Sequence, residues 1–149
     1  MGIGTFYHQF PDKAELMRYL MDQEHDYRVR AFDALGPNQA ADFPAEVARV
    51  LVGSDAALLR AMIEACGVDA RLRDFGRDLR KETGERLAAA LARARRARNC
   101  RHPALDANAA AWAILTLGDA GTDQTATSHI RKIIDIFAFA ETEGERIRA

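Results

Sequence analysis

The stretch Ala107-Asn108-Ala109-Ala110-Ala111-Trp112-Ala113-Ile114-Leu115-Thr116-Leu117-Gly118 decides the fold. It is followed, after a short polar run, by Ser128-His129-Ile130-Arg131-Lys132-Ile133-Ile134-Asp135-Ile136-Phe137-Ala138-Phe139-Ala140. In the first segment Ala107, Ala110, Ala111, Ile114, Leu115 and Gly118 recur at the spacing of one helix face, and small residues dominate it. In the second, Ile130, Ile133, Ile134, Ile136, Phe137 and Phe139 leave almost no polar side, so a helix expected over 128–146 needs cover nearly all round. Two arrangements supply it. Two copies of the pair form an isologous four-helix interface about a two-fold axis, through Ala107, Ala110, Ala111, Ile114 and Gly118 of one helix and Ile130, Ile133, Ile134 and Phe137 of the other. Alternatively, both helices are the centre of the chain's own core.

Working outward, the same periodicity fills the chain. A long helix is expected over 69–99, with the stripe Leu72, Phe75, Leu79, Thr83, Leu87, Ala90, Leu91 and Ala94; Gly76 and Gly84 are points where it bends or lets a neighbour approach. Before it, Leu58, Leu59, Met62, Ile63 and Cys66 mark one buried face, with Gly67 as the expected C-cap. Pro44 suits the first turn of a helix carrying Val47, Val50 and Leu51. Asp12, with Glu15 three residues on, opens a helix with the stripe Leu16, Leu20, Tyr27, Ala31 and Leu35, widened by Met17 and Met21, that stops near Gly36-Pro37. Residues 121–128 read as a loop. With a short aromatic segment at the start, the expectation is seven helices in an all-α bundle.

Composition agrees. The chain has 149 residues, 29 of them alanine, against 14 glycines and prolines together, which favours helix. Twenty-one Lys and Arg against 22 Asp and Glu leave a net charge of −1, so no global field attracts nucleic acid or anionic membrane, and any polyanion site must be local. No stretch approaches the roughly 18 apolar residues of a membrane span and the start lacks a secretory signal, so a cytoplasmic protein is expected. Cys66 and Cys100 make no disulfide framework. With His102 and His129 they lack zinc-ligand spacing, so no metal or other cofactor is expected. The basic cluster Arg93, Arg95, Arg96, Arg98 and Arg101 reads as cations complementing a helix C-terminus. No nucleophile triad, phosphate loop or framed carboxylate pair appears, so the chain reads as no enzyme.

The first residues are more specific. In Gly2-Ile3-Gly4-Thr5-Phe6-Tyr7-His8-Gln9-Phe10-Pro11-Asp12-Lys13-Ala14-Glu15-Leu16, the positions Gly4, Thr5, Phe6, Tyr7, Phe10, Asp12, Lys13 and Leu16 carry a pattern. It resembles the recognition helix and following helix of the tetracycline-repressor (TetR) family of transcription regulators. His8-Gln9 departs from the family, which more often has an aromatic or His directly before the Phe. Short or planar hydrogen-bonding side chains on one short helix suit phosphates and base edges. The resemblance makes Thr5, Tyr7, His8 and Lys13 the DNA-contacting positions.

It further implies a partial DNA-binding head over 1–36, a helical ligand-binding and dimerisation body over 37–149, a homodimer, operator DNA as partner and a small apolar effector. Met62, Cys66, Phe75, Leu79, Trp112 and Leu115, on inward faces of neighbouring helices, either line the effector cavity or are ordinary core. A complete head of this kind has two helices before the recognition helix, roughly 35 to 45 further residues. Residues 1–42 hold four basic against seven acidic residues, a balance unable to neutralise phosphates. The alternatives are a longer protein of which this is a part, or a headless ligand-binding and dimerisation module.

Overall fold

The computed structural model describes residues 10–36, 43–53, 55–97, 106–120 and 124–139, with the backbone alone at 120 and 136–139. Among these residues there are six helices and no strand: α1 (Lys13–Ala34), α2 (Phe43–Val52), α3 (Ala56–Val68), α4 (Ala70–Ala97), α5 (Ala107–Ala120) and α6 (Gln124–Phe139). The all-α expectation holds. No described helix is long and apolar enough to cross a membrane.

The helices start where their caps place them. The Asp12 carboxylate accepts from the Glu15 amide at 2.9 Å, and Asp55 accepts from the amides of Ala57 and Leu58, satisfying donors that a first turn leaves orphaned. The end of α3 differs from expectation. Gly67 lies inside the helix, and Asp69 is the cap, its amide bonding back to the Ala65 carbonyl. The Arg73 guanidinium takes up the last free carbonyls, those of Cys66 and Gly67, each at 3.0 Å, so no glycine turn is needed there. The polar run after α5 is shorter than expected, since α6 already begins at Gln124.

Among the described residues, two apolar clusters hold the bundle. The larger joins α2, the second half of α4, α5 and α6 with Phe32 and Leu35, and encloses Leu87, Leu91, Ile114, Ile130 and Ile134 almost completely. Truncating one of these to Ala costs about 2–5 kcal/mol. The close approach of α2 to α5 needs Gly118: a Cβ there would lie 3.1 Å from the Leu51 Cβ. The smaller cluster centres on Met21, Met62 and Leu72 between α1, α3 and the first half of α4. Although the expected boundary falls after residue 36, α1 lies along α4 and contributes to both clusters.

The buried stripe of α1 is rotated from the one its leucines mark. Tyr27 is exposed, Leu16 and Leu20 are half-buried, and the inward line is Met21, His25, Arg28 and Phe32. Polar groups tolerate that position because they are partnered. In α3, Met62 is buried as expected but Ile63 is 58 % exposed.

Candidate functional site: a cavity between α1, α3, α4 and α5

Where the two clusters meet, the helices leave a cavity of about 380 Å³. Its apolar walls are Met21 of α1, Leu59 and Met62 of α3, Leu79 of α4 and Leu115 of α5, with Cys66 beside them. The Gly76 backbone allows this space, since a Cβ there would come within 2.8 Å of the Met21 methyl and 3.3 Å of the Cys66 sulfur.

Charged side chains share the lining. Arg28 of α1 is 8 % exposed; its Nε donates to Glu24 at 2.9 Å and its Nη1 lies 3.8 Å from an Asp119 oxygen on α5. The other Asp119 oxygen pairs with Arg80 of α4. Two guanidiniums from different helices thus converge on one partly exposed carboxylate. Burial, and then the neighbouring Arg28 cation, lower the Arg80 pKa. Arg80 also donates to the Thr116 hydroxyl at 3.2 Å and stacks 5.4 Å from the Trp112 ring centroid.

The buried His25 ring, also in the lining, has Nδ1 3.0 Å from the Thr83 hydroxyl, which itself donates to the Leu79 carbonyl. Its Nε2 lies 3.1 Å from Glu82. The ring is therefore fixed at both nitrogens. Arg73 and Arg77, both exposed, form the rim with Ile63. Burial pushes the Cys66 thiol up, and the Arg73 cation partly offsets this.

Of the six residues expected to line an effector cavity, the structure brings Met62, Cys66, Leu79 and Leu115 together. Phe75 and Trp112 lie elsewhere. Phe75 is half-buried beneath the Arg18 guanidinium, 4.7 Å from it, in a groove with Phe10 and Tyr19. Trp112 is 42 % exposed, because the inward face of α5 is used by Ala111, Ile114 and Leu115. Sequence reading missed Glu24, His25, Arg28, Arg80, Thr83 and Asp119. One signal was present: His25 and Arg28 fall at helical spacing between Met21 and Phe32, so polar groups interrupt an apolar face.

The residues named for a two-fold interface are turned into the protomer. Ala110, Ala111, Ile114, Gly118, Ile130 and Ile134 are buried, while Ala107 and Ile133 are half-buried against the same core. Within the protomer these faces pack where α5 and α6 close over α2 and α4. The outward positions on α5 are instead Asn108, Ala109, Trp112 and Thr116. The Phe137 side chain lies outside the described residues, as do Thr5, Tyr7 and His8. Lys13 is exposed in the first turn of α1.

Of the basic cluster, Arg93 donates to the Phe32 carbonyl at 2.8 Å, tying the end of α1 to α4; Arg98 and Arg101 lie outside the described residues. Cys100 and His102 also lie outside them, and His129 is exposed on α6. Comparison with protein-family models, with curated proteins and with solved structures gives no match to this chain.

Proposed function

We propose that this chain is the sensing body of a TetR-like, ligand-responsive transcription regulator, a repressor that acts as a cytoplasmic homodimer on operator DNA and is modulated by a small molecule. The observation that supports it is the position of the cavity. One of its walls is α1, and α1 starts three residues after Phe10, the end of the segment resembling a recognition helix. A molecule filling the cavity meets Met21 and Arg28, so its binding energy differs between positions of α1 and biases what α1 carries. A second copy would meet the outward side of α5 at Ala109 and Trp112, since Ile114 and its neighbours are already covered.

The test is selection from a pool of random duplexes by the longest reading frame that contains this chain. The expected outcome is enrichment of a two-fold symmetric site with binding that weakens steeply with salt. Enrichment of nothing, together with a chain that dimerises and binds small molecules, favours the second reading: a ligand-binding module without DNA activity. The acidic balance of residues 1–42 supports that reading. Sedimentation of Trp112→Arg beside the parent chain examines the interface, with dissociation to monomer expected.

A further inference from the structure

The charged wall of the cavity narrows the class of molecule it takes. Four arginines, Arg28, Arg73, Arg77 and Arg80, border the space against two carboxylates, Glu24 and Asp119. Both carboxylates are already engaged, Glu24 by Arg28 and Asp119 by Arg28 and Arg80 together. Arg28 and Arg80 balance these two carboxylates within the cavity; at the exposed rim Arg77 pairs with Asp74, and Arg73, whose partners are the carbonyls of Cys66 and Gly67, supplies the positive excess at the mouth.

Three kinds of guest fare differently. A cation has to separate Asp119 from its two guanidiniums and then lies beside Arg28 and Arg80. A wholly apolar guest strips water from Arg28 and Arg80 and offers nothing in return, a cost only a new partner offsets. A carboxylate gains charge-assisted hydrogen bonds from the planar guanidinium fork and relieves the repulsion between the two arginines. Elsewhere in the lining Met21, Met62 and Leu79 present flexible or branched apolar surface to the rest of the molecule.

We propose that the cavity binds an amphipathic organic anion, a carboxylate on a small apolar body, with its head at Arg80 and Arg28 and its body against Met21, Met62 and Leu79. This rests on the reading of the cavity as the effector site, and it changes the expected effector from apolar to amphipathic.

The experiment compares three probes with one tail and different heads: decanoate, decanol and decylammonium. Each is titrated calorimetrically into the full chain and into Arg80→Met and Arg80→Lys variants, with protection of the Cys66 thiol from alkylation as a reading of location. Decanoate is expected to bind one site at least about tenfold tighter than decanol, with decylammonium weakest. In Arg80→Met the preference should collapse while decanol binding persists, and Arg80→Lys should retain it. If Arg80→Met fails to fold, the head-group series on the parent chain and on Arg80→Lys decides the matter. Equal binding of acid and alcohol, a preference for the amine, or a preference unchanged in Arg80→Met overturns the anion proposal and leaves the effector reading standing. Absence of one-site binding by all three at millimolar concentration overturns both.

Discussion

The Arg28 guanidinium of α1 lies 3.8 Å from the Asp119 carboxylate of α5, and Arg80 of α4 pairs with the same carboxylate. Asp119 thus links α1, α4 and α5 through charge. Because it is 29 % exposed and Arg28 only 10 % at the side chain, the carboxylate is the partner freer to reorganise.

Replacing Asp119 by Asn leaves two partly buried guanidiniums facing each other without their shared counter-charge. Stability should fall by about 1–3 kcal/mol, less than for a fully buried pair because Asp119 reaches solvent. Urea unfolding of the variant checks this. Adding Arg80→Met should recover part of the loss, since the repulsion disappears with it. A single variant as stable as the parent would mean that Asp119 does not hold the charged wall together.

How much of this is legible in the sequence follows from what periodicity encodes. The α4 stripe from Leu72 to Ala94 is readable because it is long, apolar and regularly spaced, and the inward faces of α5 and α6 for the same reason. Periodicity says that a face is buried but not by whom, which is why Ile114 and Ile134 read first as a subunit interface, with the chain's own core as the alternative. The charged wall is illegible for a different reason. Arg28, Arg80 and Asp119 are far apart in the chain, and each alone looks like a solvated residue among many charges. Only the packing of both α1 and α5 on α4 brings them together. The α1 stripe is misplaced because Leu16, Leu20 and Tyr27 are more apolar than His25 and Arg28, although the latter pair find partners when buried.

Asp69 predicts an acid-sensitive helix junction. Its carboxyl is held below the usual aspartate range, first by the Arg71 guanidinium and then by the Arg71 amide, with a smaller contribution from the Leu72 amide. A folded-state pKa below the unfolded one gives a contribution that is complete above the ordinary Asp value of about 3.9 and is lost as pH falls through the depressed one. Asp69→Asn keeps an acceptor for the α4 amide but does not titrate. The urea midpoint of the parent chain should therefore fall more than that of the variant between about pH 5 and pH 3. Parallel declines would show that Asp69 contributes nothing to acid unfolding.

Two glycines should respond in opposite directions. Gly67 sits inside α3 with nothing within 4 Å of where a Cβ would be, so Gly67→Ala should stabilise by about 0.5–1 kcal/mol through helix propensity alone. At Gly118 the added Cβ meets Leu51 at 3.1 Å and 3.4 Å, and a branched side chain cannot fit without parting α2 from α5. Gly118→Val should cost about 1–3 kcal/mol. Thermal unfolding of both variants decides, and a stabilised Gly118→Val would mean that α2 and α5 do not approach as described.

Cys66 predicts a reactivity that reads the state of the cavity. Burial raises its thiol pKa, the Arg73 cation opposes that rise, and its sulfur lies 3.5 Å from the Leu72 carbonyl as a weak donor. Since the thiolate is the nucleophile, a raised pKa means less of it at neutral pH. Alkylation followed by mass spectrometry on the Cys66 peptide should therefore be slower at pH 7 than for a free small-molecule thiol, with the difference narrowing as pH rises. Arg73→Ala should slow it further, because the removed cation was favouring the thiolate. An Arg73→Ala variant that reacts faster would show that access past the rim, where Arg73 also holds the end of α3, governs the rate instead of thiolate content.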